Sequence, residues 1–160
     1  MNCPSCGAPL KLAAGNTSLQ CDYCKAAVEL APDETGVQFL DEVRGLYCPV
    51  CESGLWHAVL ASVELVSCKK CRGFLVRMSD FEVLIEKMRA VHAEREFSGP
   101  ANAADLERKV MCPRCHRRMD THYYFGGGHA VMSSCERCEL HWLDSGMLMR
   151  IMRLPKVAEE

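Results

Sequence analysis

Six Cys-x2-Cys pairs set the terms on which this chain can fold. They are Cys3/Cys6, Cys21/Cys24, Cys48/Cys51, Cys68/Cys71, Cys112/Cys115 and Cys135/Cys138, and they use all 12 cysteines of a 160-residue sequence. A pair at this spacing is the smallest loop that points two sulfurs at one ion, so two pairs make a four-thiolate cage. Taken in order, the pairs form three units with inner spacings of 14, 16 and 19 residues, and Pro4, Pro49 and Pro113 follow the opening cysteines. The flanks repeat too. Leu10, Leu55 and Met119 stand four residues after the second cysteine of each unit; Val28, Leu75 and Trp142 stand four after the fourth. A unit of about 30 residues cannot hold a core without help, so these positions are expected to form a small apolar cluster beside each metal. The expected fold is a small metal-stabilised α+β chain: three tandem zinc ribbons, each a β-hairpin with two knuckles, holding three Zn2+ ions.

Residues 1–31 make the barest unit, with strand-like Leu10–Leu12, Leu19–Gln20 and Ala27–Leu30 around a polar turn at 15–18. Residues 32–46 are expected to be a linker: Pro32 stops the strand, Asp33 and Glu34 keep it solvated, and Val37, Leu40 and Val43 at helical spacing suggest a turn or two of helix. Residues 47–97 hold the second ribbon, with strands Leu55–Leu60 and Val63–Ser67, and a helix. Ser79-Asp80-Phe81-Glu82 has the capping-box form, Phe81, Leu84, Ile85, Met88 and Val91 recur at helical spacing, and Ser98-Gly99-Pro100 closes the segment. Residues 98–110 form a second linker with a short helix capped by Asn102. Residues 111–155 hold the third ribbon: strands Thr121–Tyr124 and Ala130–Ser133 flank Gly126-Gly127-Gly128, Asp144 stands where an N-cap belongs, and Met147, Leu148, Ile151 and Met152 form one stripe before Pro155. The stripe either folds back on its own ribbon or meets a partner, including a second copy of the chain. Residues 156–160 are a frayed tail.

Cys112, Cys115, Cys135 and Cys138, followed by Trp142-Leu143-Asp144 and Gly146 opening a helix, resemble the bacterial transcription factor zinc-finger family, whose ribbon is similar to that of transcription initiation factor IIB. The third unit carries the match. It departs where the family has two glycines after the last cysteine and Glu-Leu after the later glycine: here stand Glu139-Leu140 and Met147-Leu148. The second unit keeps the cysteines and Gly73 but has Leu75-Val76-Arg77 in place of Trp-Leu-Asp, and the first is a generic ribbon. The resemblance implies fold and metal, and little about activity.

Four thiolates close a coordination shell, which leaves no position for water or substrate and makes the sites structural. Iron in the same cage is the rival metal. No nucleophile stands beside a base, so no enzyme is expected. With Met1-Asn2-Cys3-Pro4 opening directly on a knuckle and no apolar run near 20 residues, neither signal peptide nor membrane span is expected, and thiolates on metal place the chain in a reducing cytoplasm. His116, His122, His129 and His141 are superfluous as ligands and are expected on the surface, with His129 available to a partner. The formal charge of −2 falls to about −8 once three tetrathiolate sites form, which argues against general nucleic-acid binding. Locally, Arg114, Arg117, Arg118 and Arg137 gather at the third knuckles beside Tyr123, Tyr124 and Phe125, a candidate stacking platform for single strands. Net charge and apolar helices favour an interaction or adaptor protein that binds protein partners; the alternative is a nucleic-acid-binding regulator using the third ribbon.

Overall fold

The computed structural model of the chain describes residues 1–13, 18–91, 99–126 and 129–154. Near the N-terminus, β1 (Leu10–Leu12), β2 (Ser18–Cys21) and β3 (Ala27–Glu29) form an antiparallel sheet in that order. The other strands are β4 (Gln38–Tyr47), β5 (Gly54–Leu60), β6 (Val63–Ser67), β7 (Phe74–Arg77), β8 (Asp120–Tyr123), β9 (Val131–Cys135) and β10 (Leu140–Leu143). They make one sheet in the order β4-β5-β6-β7-β10-β9-β8. Two α-helices accompany it, α1 (Met78–Val91) and α2 (Met147–Arg153). A 3-10 helix, Ala103–Glu107, is capped by the Asn102 side chain, which accepts from the Ala104 amide at 3.1 Å.

The second and third units are therefore not separate ribbons, which corrects the expectation of three tandem ones. Each contributes three strands and a helix, β5-β6-β7-α1 and β8-β9-β10-α2, and the two sets meet edge to edge at β7 and β10 about a local twofold axis. Leu75 pairs with Trp142 there, so two positions that repeat in the sequence face each other. The cause is the short strand after each last knuckle. Phe74–Arg77 and Leu140–Leu143 have four residues each, too few for alternation to mark them as strands, and each leaves an open edge that the other covers.

The fused sheet has two apolar faces. On one, strand residues including Leu65, Phe74, Val76, Met132 and Leu143 meet Phe81, Leu84, Ile85 and Met88 of α1 and Met147, Leu148, Ile151 and Met152 of α2 in a single buried cluster. Both helical stripes are thus covered within the chain, except for Val91 at the end of α1, which is exposed. On the other face Leu55, Leu75, Leu140, Trp142, Val110 and Met119 pack with cysteines of both knuckle sets.

The helical turn expected between Val37 and Arg44 is a strand instead. Register shifts in β4, between Phe39 and Glu42 and again between Glu42 and Tyr47, break the two-residue period, so apolar residues spaced by three still suit an extended edge strand. The segment before it is ordered by Asp33. One carboxylate oxygen accepts from the amides of Thr35 and Val37 at 2.9 and 3.0 Å, and the other holds Arg72 beside the second knuckle set.

The helix starts differ as well. α1 begins at Met78, whose amide donates to the Glu139 carbonyl at 2.9 Å, and the Ser79 hydroxyl turns to Asp80 rather than forming a capping box. α2 is preceded by Gly146 in the left-handed region, while the Asp144 side chain accepts from Trp142 and Arg108 instead of capping. At its C-terminus α2 is capped by α1: Arg89 donates to the carbonyls of Ile151, Met152 and Leu154, each at 3.2 Å. A planar cation suits these carbonyls, which carry the negative end of the helix dipole. Arg89→Ala is expected to cost about 2 kcal/mol in a urea melt, with Arg89→Lys recovering only part; full recovery by lysine would contradict the three-carbonyl cap. The predicted turn at 15–18, the close of α1 at 98, the centre of the glycine triplet and the tail lie wholly or largely outside the described residues.

Candidate metal centres and the surface around them

Five of the six knuckles are built from one repeated backbone turn. The amide of the residue after the second cysteine donates to the carbonyl of the first, Gly7 to Cys3, Lys25 to Cys21, Glu52 to Cys48, Arg72 to Cys68 and His116 to Cys112, at 2.9 to 3.0 Å; in the sixth the Glu139 amide donates to the Glu136 carbonyl at 3.3 Å. That residue takes positive φ in all six knuckles, from 54° at Glu139 to 73° at Gly7. Only Gly7 does so without a side-chain penalty. Five non-glycine residues in the left-handed region are held there by the turns, which a bound ion would fix further.

The turns converge the cysteines as their spacing implied. Cys3, Cys6, Cys21 and Cys24 form one group, Cys48, Cys51, Cys68 and Cys71 a second, and Cys112, Cys115, Cys135 and Cys138 a third, with sulfurs in each group within 4.8 Å of one another. Near pairs are 3.5 Å apart at Cys3–Cys24, 3.4 Å at Cys48–Cys71 and 3.6 Å at Cys115–Cys135. Four sulfurs about 2.3 Å from one ion stand about 3.8 Å apart in a tetrahedron, so each group fits a metal ion; a disulfide needs about 2.05 Å, and all twelve thiols are free. Amides point at some of these sulfurs, Val50 to Cys48 at 3.4 Å and Cys71 to Cys68 at 3.5 Å. Such donors favour the thiolate. Backbone donors at Ser5 and Cys6 pull the Cys3 thiol down to about 6, the Ser53 side chain does the same for Cys51, and the Arg117 amide brings Cys115 to about 7, whereas burial outweighs the amide at Cys48 and pushes that thiol up, as it does Cys71, Cys112 and Cys138.

The groups differ in shelter. Cys6 and Cys24 of the first are exposed, whereas the second and third keep two cysteines buried and two half-buried each. Those two groups share the apolar cluster around Trp142, which is 1% exposed.

Residues read as a contact surface divide between surface and core. Arg114, Arg117, Arg118 and Arg137 are exposed. Tyr124 is not available for stacking, since it is buried edge-on against Phe81 with ring centroids 5.9 Å apart, and Tyr123 is half-buried; Phe125, 59% exposed at φ 46°, is the outward aromatic. The histidines correct the surface expectation. His122 Nε2 and His141 Nδ1 each lie 2.8 Å from the Ser134 hydroxyl, and burial first, then the neighbouring His122, pushes His141 down. The His129 ring contacts the Gly99 carbonyl, which leaves His116 exposed. Sequence reasoning missed this polar chain because side-chain order across three strands depends on register.

It also missed a hollow beside β7. A cavity of about 360 Å³ is lined by Leu46, Val66, Leu75 and Leu140 with Arg77 and Arg114, and a second of about 410 Å³ shares Arg77, Arg114 and Leu140. Among the described residues no helix is long and apolar enough to cross a membrane. No family model, no curated protein and no solved structure matches the chain.

Proposed function

We propose that this chain is a zinc-binding adaptor of the reducing cytoplasm, without chemistry of its own, whose three ions are Zn2+ in structural zinc-ribbon sites. The observation that carries the reading is the convergence of all twelve cysteines into three closed four-sulfur groups, two of them inside one shared core. A full thiolate shell offers substrate no open position. What such ions can do is hold a small scaffold rigid and present its surface. The third unit's likeness to the transcription-factor zinc-finger ribbon bears on fold and metal and not on role, since ribbons of that kind serve many unrelated ones.

The second reading, a nucleic-acid-binding regulator, draws on the exposed arginines at the third knuckles and on Phe125. It is weakened by the burial of Tyr124 and by the net charge of −2, which the thiolates make more negative.

Elemental analysis and native mass spectrometry of protein purified from its source cells, without added metal or nuclease, test both. The expected result is three zinc ions, no nucleic acid, a protein partner retained after cross-linking, and no self-association, because the stripes that would pair two copies are buried within one. Iron would overturn the metal assignment. Co-purifying nucleic acid, lost with a reduced salt slope in Arg117→Glu with Arg118→Glu, would replace the adaptor by the regulator.

A further inference from the structure

The three cages are alike in sulfur geometry and unlike in cover. In the first, Cys6 and Cys24 are exposed, while Cys3 and Cys21 are buried at 3% and 0%. Its near pairs each join one of both kinds across the hairpin. Exposed Cys6 lies 3.5 Å from buried Cys21, and exposed Cys24 lies 3.5 Å from buried Cys3. The second cage repeats these pairs, Cys51 with Cys68 and Cys48 with Cys71, both at 3.4 Å, but its outer members are half-buried. The surroundings separate the cages further. All eight cysteines of the second and third lie in or against the apolar cluster that holds Leu55, Leu75, Met119, Leu140 and Trp142. Among the described residues, no cysteine of the first belongs to either apolar cluster, and its sheet pairs with no strand of the other.

We propose that the first cage is a site of reversible oxidation by hydrogen peroxide, which releases its ion by forming the disulfides Cys6–Cys21 and Cys3–Cys24 while the other two cages keep theirs. The proposal rests on the metal reading above and adds a regulation to it. Peroxide is small and uncharged, so what selects among thiolates of similar geometry is a clear approach to the sulfur. Cys6 and Cys24 offer one. The Cys6 thiolate attacks a peroxide oxygen: an S–O bond forms, the O–O bond breaks, and the hydroxide that leaves is protonated by solvent. The Cys6 sulfenic acid then stands beside the Cys21 thiolate. Cys21 attacks the Cys6 sulfur, an S–S bond forms, the S–O bond breaks, and a second hydroxide leaves and is protonated. Two thiolates thus lose two electrons, one peroxide gains them, two protons are taken up and two waters form. Cys24 and Cys3 repeat the sequence with a second peroxide. Disulfide sulfurs no longer hold the ion, since the thiolate is the ligand. Both bonds run between the knuckles that the ion had joined, so reduction can restore the cage. In the other two cages the apolar cluster stands in the way of the same attack.

The test uses the full metal-loaded chain, prepared without oxygen and exposed to millimolar hydrogen peroxide, with native mass spectrometry over time and peptide mapping after thiol blocking. Three zinc ions are expected at the start. The first product should hold two, weigh four hydrogens less than the reduced chain once unfolded, and carry Cys6–Cys21 and Cys3–Cys24. It should form about tenfold faster than any species with fewer ions, and dithiothreitol with zinc should return it to three. Loss of all three ions in one phase, or a first loss from the second or third cage, would overturn the proposal. So would first-cage sulfur recovered as sulfinic or sulfonic acid, disulfides Cys3–Cys6 and Cys21–Cys24 instead, or three ions that survive the peroxide. Each of those outcomes leaves the metal reading standing, because three zinc ions were counted beforehand. A chain that carries iron or no metal before peroxide is added fails that reading, and this proposal with it.

Discussion

Graded chelation of the metal-loaded protein is expected to populate species with three, two and no metals, and no one-metal species. The first ion should leave alone. Its cage has two exposed cysteines, Cys6 and Cys24, and belongs to a three-stranded sheet that, among the described residues, pairs with no strand of the other sheet. The other two should leave together. Cys48 and Cys68 share a buried cluster with Cys112 and Cys135, through Leu75 and Trp142, and β7 pairs with β10 along the seam. A structural zinc contributes roughly 10–16 kcal/mol, comparable to or above the whole stability of an ordinary domain. Losing one therefore opens the sheet and exposes the partner cage. The same coupling predicts that Cys112→Ser removes two metals while Cys21→Ser removes one. Native mass spectrometry against chelator concentration reads both, and a folded species holding only the second or only the third ion would sink the idea.

Much of this was legible in the sequence, and the limits are physical. Metal ligands were legible because a knuckle is local: Cys-x2-Cys and its turn need only a few residues, and the hairpins of the second and third units lie within one or two residues of where alternation and turn composition put them. The amphipathic stripes were legible for the same reason. What they cover was not, because the fusion at β7 and β10 is a long-range pairing of two four-residue strands with no turn chemistry to announce it. The linker at 32–46 hid β4, whose bulges imitate a helical spacing. Asp144 had the composition of an N-cap and instead serves Trp142 and Arg108, a role set by the tertiary environment of the seam. Leu75 and Trp142 were visible as repeated positions, yet only the structure shows that they pair across the seam.

Gly73 and Trp142 should behave as a single unit in stability measurements. A Cβ placed on Gly73 would stand 2.3 Å from Trp142 Cζ2 and 2.6 Å from Cη2, far inside contact distance. The indole cannot yield easily, because it is 1% exposed, pinned by its hydrogen bond to Asp144 and enclosed by the cluster between the two cages. Gly73→Ala is expected to cost about 3 kcal/mol by overpacking. Trp142→Leu should cost about as much through the opposite fault, a cavity between the metal sites. The backbone at Gly73 does not sit at positive φ, so alanine there is penalised by the ring alone. Once the ring is gone, the added methyl enters space that the first change emptied. The double variant should therefore be less destabilised than the sum of the two by about 1–3 kcal/mol. Urea melts of the metal-loaded single and double variants measure the cycle. Strict additivity would mean that the close approach of Gly73 and Trp142 does not govern the seam. A coupling of this sign would show that glycine at 73 is what admits tryptophan at 142, and that the two units fuse by fitting one large side chain over one missing one.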